Sequence, residues 1–348
     1  MRAGDTVARL GGDEFAILLE QCPPSKVHEQ ADRLLDEISK PLELSGQHVV
    51  ATGSIGIAAT GHASSAGELL RNADMAMYRA KAAGGGCYRV FEEAMHSDAM
   101  RHLEVTARLR EAIENERFVL HYQPVLDAST GRAVAMEALV RWNRDGELVP
   151  PGDFIPALEE SGLILTLGEW ILKRACRDAA VWPAQMQVNV NLSGRQLADP
   201  SIVEHVREAL TASGLPPEQL MLEITESVIM HNTETSVRRL AQLRELGVRF
   251  AIDDFGTGYS SLSYLRSFPV DELKIDRSFL ETITDDQSAV PLVATIVQLA
   301  RSLSLTTVAE GVETQAQFEL LQELGCDRVQ GYFFARPAPV EIALALAS

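Results

Sequence analysis

The chain has 348 residues, enough for two domains or for one large α/β barrel with a smaller companion. Its composition is globular, 46% hydrophobic against 23% charged, and its net charge of −18 argues against a nucleic-acid duplex as partner, because duplex binding needs clustered Lys and Arg. Four scattered cysteines (Cys22, Cys87, Cys176, Cys326) with no Cys-x-x-Cys pair, no apolar run long enough for a membrane span and no signal peptide together predict a cytoplasmic protein with no membrane segment.

Residues 1 to about 92 alternate short strands and helices. Thr6 to Leu10 and Phe15 to Leu19 flank Gly11-Gly12-Asp13-Glu14, a strand–turn–strand pattern. Val27 to Ile38 has helical spacing, Val49 to Ala58 reads as a strand, and Ala66 to Ala83 reads as a helix closed by Gly84-Gly85-Gly86. Tyr88 to Phe91 ends this unit. A polar connector follows at 93–99, and then an amphipathic helix with Met100, Leu103, Leu109 and Ile113 on its apolar face.

Over 100–348, strands and helices alternate almost regularly. The strand candidates are Val119–Val125, Ala133–Val140, Gln187–Leu192, Leu220–Ile224, Phe250–Asp253, Glu272–Ile275, Thr306–Ala309 and Arg328–Phe333. Helical patterns such as Leu167–Ala180, Ile202–Ser213, Thr235–Leu246 and Val290–Leu303 lie between most of them. This arithmetic predicts an α/β protein with a (β/α)8 TIM-like barrel, whose chemistry belongs at the C-terminal ends of the strands.

Those ends carry a consistent set of polar side chains. They are Glu137, Asn191, Glu223, the pair Asp253 and Asp254, Lys274, Glu310 and Gln330. Crowded carboxylates repel one another unless cations lie between them. Two Mg²⁺ or Mn²⁺ ions roughly 3.5–4 Å apart would hold such a ring together and suit an in-line phosphoryl displacement. Asp253 and Asp254 can serve one site only if the strand stops near Asp253 and the chain bends, a freedom that Gly256 and Gly258 supply. Taken alone, that Asp-Gly segment is also compatible with an ordinary turn. Lys274 within an acidic ring either pairs structurally or steers a nucleophile.

Glu137-Ala138-Leu139-Val140-Arg141-Trp142, Val190-Asn191-Leu192-Ser193, Leu222-Glu223-Ile224-Thr225-Glu226, Asp253-Asp254-Phe255-Gly256-Thr257-Gly258, Leu273-Lys274-Ile275-Asp276 and Ala309-Glu310-Gly311-Val312-Glu313 resemble the motif series of the EAL-domain cyclic di-GMP phosphodiesterases. Tyr122-Gln123-Pro124 and Gln330-Gly331-Tyr332 match as well, in the family's order, and the resemblance covers about residues 96 to 348. The naming tripeptide occurs twice. Glu208-Ala209-Leu210 lies in a helical pattern with no following Arg-Trp, and reads as a decoy on a surface helix. Around the first copy, period two puts Glu137, Leu139 and Arg141 on one face, with Arg141 about 13 Å further along.

The resemblance implies metal-dependent hydrolysis of cyclic di-GMP to linear pGpG by in-line attack of an activated water. It implies two Mg²⁺ or Mn²⁺ ions, one on Glu137, Asn191, Glu223 and Asp253 and the other on Asp253, Asp254 and Glu310, with Ca²⁺ inhibiting. Lys274 would orient the water, and either Lys274 or Glu310 would act as base. Glu226 would brace the loop after Asp254. Gln123, Leu139, Arg141, Asp276 and Gln330 would face substrate, and the barrel would form a homodimer. Asn189 shares a face with Asn191, and the match to Asn-x-Ser favours Asn191 as the ligand. After Trp142 the segment Asn143-Arg144-Asp145-Gly146 is shorter than the family's usual loop, which bears on substrate fit. A catalytically silent cyclic di-GMP receptor or interaction scaffold is the alternative.

Arg9-Leu10-Gly11-Gly12-Asp13-Glu14-Phe15 resembles the signature turn of GGDEF-type diguanylate cyclases, and Arg2-Ala3-Gly4-Asp5 resembles that family's product-inhibition Arg-x-x-Asp. Ser54-Ile55-Gly56-Ile57-Ala58 and the run from Ala73-Asp74 to Ala80-Lys81 agree with later parts of that domain. The sequence carries only the C-terminal half of the pattern, without the strand that bears its metal-binding Asp. The expectation is a partial α+β GGDEF-type domain over 1–92, inactive as a cyclase. A regulatory GTP or cyclic di-GMP site on it is a weaker reading.

Overall fold

Strand Thr6–Gly11 (β1) pairs antiparallel with Glu14–Leu18 (β2), and the turn between them uses Gly12 at φ +51°. Arg9 closes this hairpin by donating Nε and Nη2 to the Gly12 carbonyl at 3.0 and 2.6 Å. The computed structural model describes residues 4–44, 47–49, 51–226, 228, 234–256, 270–281, 283 and 289–346. The chain divides into two compact units, Met1–Glu104 and Val105–Ser348. Among the described residues, no helix is long and apolar enough to cross a membrane.

In the first unit, helix α1 (Pro24–Ile38) is followed by a short antiparallel pair, β3 (Leu42–Leu44) and β4 (Gln47–Val49). The strand expected over Val49–Ala58 is two pieces, because the chain leaves β4 at Val49 and re-enters extended pairing only at β5 (Ile55–Ile57). β5 runs parallel to β6 (Tyr88–Val90), with helix α2 (Ala66–Ala82) as the crossover between them. Gly56 permits the crossover to lie close: a Cβ there would sit 1.9 Å from the Ala73 carbonyl oxygen and 2.2 Å from the Met77 nitrogen. Ser65 caps α2 by accepting from the Glu68 amide at 3.2 Å.

The polar stretch read as a connector at 93–99 is helical. It forms the first turns of α3 (Glu93–Glu114), and the division between the two units falls within this helix. Polarity misled the sequence reading, since Glu93 in a first turn favours a helix start as readily as a loop.

The second unit is a closed eight-stranded barrel. Its strands are β7 (Phe118–Asp127), β8 (Ala133–Arg144), β10 (Gln187–Asn191), β11 (Leu220–Thr225), β12 (Arg249–Phe255), β13 (Glu272–Ile275), β14 (Thr306–Ala309) and β15 (Arg328–Val329). They pair in the order β8-β10-β11-β12-β13-β14-β15-β7 and back to β8. Seven run parallel, while β7 is antiparallel to both neighbours, β8 and β15. The cause is in the connection: only the five residues 128–132 separate β7 from β8, too few for a crossover helix, so the pair forms a hairpin. The segment after Trp142 is a second hairpin, in which Asp145 (φ +53°) and Gly146 (φ +94°) turn the chain into β9 (Glu147–Val149) alongside the end of β8. The last barrel strand is shorter than the expected Arg328–Phe333, because the chain turns at Gly331, whose carbonyl accepts from the Phe334 and Ala335 amides.

The helices cover the barrel with one apolar stripe each. Helix α4 (Ile164–Ala179) buries Ile164, Leu167, Gly168, Ile171, Leu172, Ala175, Cys176 and Ala179, the i, i+3, i+4, i+7 rows of one face. Inside the barrel, Val125, Ala135 and Val308 form a small apolar cluster of their own. The rest of the lumen is largely polar.

Candidate active site

Every barrel strand has period-two alternation, so one lumen-facing residue at each C-terminal end meets its counterparts from the other strands. Lys274 on β13 is the hub, 1% exposed. Its Nζ lies 2.6 Å from Oε1 of Glu310, 2.7 Å from Oε2 of Glu223, 3.2 Å from Oδ1 of Asp253 and 3.9 Å from Oε2 of Glu137. These acids come from β8, β11, β12 and the residue after β14, so the contacts span the lumen. On the far side, Asn191 donates Nδ2 to Oε1 of Glu137 at 2.9 Å. Gln330 donates to Oε2 of Glu137 at 2.7 Å and to Gln123 at 3.2 Å, and Gln123 itself donates to the Ala335 carbonyl at 3.0 Å.

The Asp253–Asp254 pair is reached in a way that corrects the expected bend. β12 runs on to Phe255, but its register against β13 shifts between Ile252 and Phe255. Within that irregularity Asp254 adopts φ +54°, the left-handed region that Asp tolerates better than most residues. The twist at Asp254 itself lets two consecutive carboxylates approach one place, and Gly256 (φ +96°) follows it. Any side chain at Gly256 would meet the Phe279 ring at 2.7 Å. Its amide donates to Oε2 of the buried Glu226 at 3.0 Å, so Glu226 braces the segment from β11. Gly258, the second glycine of the motif, lies outside the described residues.

One carboxylate oxygen from each of Asp253, Asp254 and Glu310 lies within 4.8 Å of the others, a spacing suited to a metal ion. Among the described residues, five carboxylates (Glu137, Glu223, Asp253, Asp254, Glu310) gather here, and Lys274 is the cation that contacts four of them. Burial raises Glu310 to about 8, with Asp253 and Glu137 adding to it and Lys274 opposing. Burial likewise pushes Glu223 well above the ordinary range, against the pull of Lys274. Asp254 is raised by burial and by Asp253. Burial disfavours charge on Lys274, but Asp253, Glu137, Glu223 and Glu310 outweigh it and hold the ammonium well above the usual lysine value. A ring of oxygen donors whose carboxyls are pushed upward by burial and by one another fits hard divalent cations.

The remaining expected residues sit nearby with local partners of their own. Arg141 is half-buried and donates to the Val140 carbonyl at 2.8 Å. Leu139 is half-buried between Glu137 and Arg141. Asp276 accepts from the Ser278 amide at 3.0 Å, capping the turn after β13. The second Glu-Ala-Leu lies on helix α5 (Ile202–Ser213), with Glu208 paired to Lys173 at 3.0 Å, as a surface decoy should. In the first unit, Gly11, Gly12, Asp13, Glu14 and Phe15 form the exposed β1–β2 hairpin and Asp5 immediately precedes β1, while Arg2 lies outside the described residues.

Sequence reasoning missed the partner of Glu223. Asn189 donates Nδ2 to Oε1 of Glu223 at 2.8 Å and is wholly buried. It also missed a second polar layer nearer the strand starts, where Arg328 donates to Oε2 of Glu272 at 2.6 Å and to Gln187 at 3.1 Å. The period-two rule pointed to both, since Asn189, Glu272 and Arg328 each sit two residues before a predicted site residue.

Comparison with known proteins gives matching results for the two units. Residues 106–337 match the family described as “EAL domain”, and residues 1–87 match “Diguanylate cyclase, GGDEF domain”. The bifunctional diguanylate cyclase/cyclic di-GMP phosphodiesterase MucR of Pseudomonas aeruginosa is 45% identical over 99% of this chain and 51% of its own length. The cyclic di-GMP phosphodiesterase NbdA of the same organism is 39% identical over 98% of this chain and 44% of its own. The chain thus spans about half the length of these curated relatives. A solved structure titled “PaMucR Phosphodiesterase, c-di-GMP complex” superposes with a TM-score of 0.66 at 45% identity, covering 69% of this chain and 99% of that one.

Proposed function

The chain belongs to the EAL domain family, and from that membership we propose that it hydrolyses cyclic di-GMP to linear pGpG in the cytoplasm. The observation that carries the reading is the complete ring at one mouth of the barrel: Lys274 within 4 Å of Glu137, Glu223, Asp253 and Glu310. Glu137, Asn191, Glu223 and Asp253 would hold one Mg²⁺ or Mn²⁺, and Asp253, Asp254 and Glu310 a second. When bound, these ions would lower the pKa of water at the site and stabilise charge on the phosphoryl oxygens.

The chain's own residues would do the rest. Lys274, as the ammonium, would orient the attacking water oxygen, and the Glu310 carboxylate would take the proton. A P–O bond would form to that oxygen as the bridging P–O bond on the opposite side breaks, and the departing ribose oxygen would take up a proton from solvent. Glu226 would keep Asp254 in place through the Gly256 amide. Gln123, Leu139, Arg141, Asp276 and Gln330 would line the approach of the nucleotide, and the barrel unit would self-associate as a homodimer.

Cyclic di-GMP turnover by the purified chain in Mg²⁺ or Mn²⁺, beside Glu137→Ala, tests this. The wild type is expected to yield pGpG, the variant to lose activity, and Ca²⁺ to inhibit through its longer, looser coordination. Binding without cleavage by a metal-loaded wild type would establish the silent receptor instead. We further propose that the first unit makes no cyclic di-GMP from GTP in this polypeptide. The reading rests on Asp13 and Glu14, which stand exposed on the β1–β2 hairpin.

A further inference from the structure

Strand β10 lies between β8 and β11 and reads Gln187-Val188-Asn189-Val190-Asn191. Its amides face the lumen, and its two valines join the apolar layer under the helices. The two asparagines reach in opposite directions, Asn191 to Oε1 of Glu137 on β8 at 2.9 Å and Asn189 to Oε1 of Glu223 on β11 at 2.8 Å. The other oxygen of Glu223 receives Lys274 at 2.7 Å. The Glu223 side chain is itself completely buried, so two donors on opposite sides fix the plane of its carboxylate.

Building on the two-metal reading above, we propose that Asn189 is a positioning residue, which holds Glu223 in the orientation that binds a divalent cation and so sets the affinity of the site for that cation. A carboxylate pinned at both oxygens cannot swing about its last torsion. With only Lys274 attached, it could rotate toward the ammonium and away from the ion. Fold stability gives Asn189 no comparable reason to be there. Its Oδ1 is buried with no hydrogen-bond partner among the described residues, a cost that an apolar residue at the same position would avoid. Partners that orient metal ligands from behind commonly have this role in metal sites.

The test is Mn²⁺ binding to the full chain by titration calorimetry, for wild type, Asn189→Ala and Asn189→Ser, with thermal melting in EDTA as the folding control. Gln187→Ala, one lumen position earlier on the same strand, controls for lost packing. Asn189→Ala is expected to weaken Mn²⁺ binding about 10- to 100-fold. Asn189→Ser, which keeps a shorter donor, should fall between, and Gln187→Ala should stay within about twofold. Where Asn189→Ala does not melt cooperatively, Asn189→Ser decides. Mn²⁺ affinity unchanged in the folded Asn189 variant, or equally weakened by Gln187→Ala, overturns the proposal. If Asn189→Ala weakens Mn²⁺ binding but wild type cleaves no cyclic di-GMP, the positioning role stands and the hydrolase reading fails. If wild type cleaves and the variant binds Mn²⁺ normally, only the positioning role fails.

Discussion

The two ends of the barrel lumen are built from the same strands at the same period, yet they do opposite things with charge. Toward the strand starts, one buried carboxylate, Glu272, meets one guanidinium, Arg328, at 2.6 Å, with Gln187 completing the contact. Toward the strand ends, five carboxylates crowd round one lysine. A pair of one acid and one base balances its own charge inside the protein, whereas the excess of carboxylates among the described residues at the other end calls for protons or metal ions from outside. Buried polar residues alone therefore do not mark the site; the charge they leave uncompensated does.

The contrast can be broken by exchanging what each end is asked to carry. In saturating Mn²⁺, Lys274→Met should lower the rate of cyclic di-GMP turnover on the order of 10²- to 10³-fold, the effect of removing one preorganised charge at a reacting centre. Glu272→Gln should leave the rate within about twofold, because it lies two residues back on the same strand and touches only the balanced pair. Equal losses would show that the two ends work as one unit.

A smaller effect is expected at the brace. Glu226→Gln keeps the shape but turns a charge-assisted bond to the Gly256 amide into a neutral one, worth about 1 kcal/mol, so kcat should fall by somewhat less than tenfold. A change in KM alone would assign Glu226 to substrate binding rather than to the placement of Asp254.

The smallest effect is a slope. Burial raises the Glu272 carboxyl above its ordinary 4.5, against the pull of Arg328. Between 4.5 and its raised value, the folded protein holds a proton that the unfolded chain has released. Stability from this group is thus fully present below 4.5 and is lost as pH rises through the raised value. Glu272→Gln removes the proton, so its melting temperature relative to wild type should climb with pH across that window. A flat difference would mean that Arg328 already neutralises the pair.

Much of this was legible in the chain. Strand-end positions, read with period two, placed Glu137, Glu223, Asp253, Lys274 and Glu310 together, and the structure joins them through Lys274. What stayed hidden depended on backbone rather than on pattern. A run of polar residues does not say whether it is loop or exposed helix, so residues 93–99 were misread as a connector. Asp145-Gly146 is a hairpin signal in its own right, and β9 was there to be found. The αL twist of Asp254 could not be read, because propensity favours Gly there and only tertiary contacts hold an aspartate in that conformation. Asn189 carried a signal in its spacing, but a signal that also described Asn191.

The alternation of β10 has a consequence for how the barrel assembles. Slipping this strand by one residue against β8 or β11 would turn Gln187, Asn189 and Asn191 outward into the hydrocarbon of the covering helices and drop two valines among the carboxylates. Both faces would become misplaced at once, so the slipped alignment has no partial benefit to trap it. The lumen-facing amides of β10 thus also act as a register key, compatible with one alignment of the closing sheet.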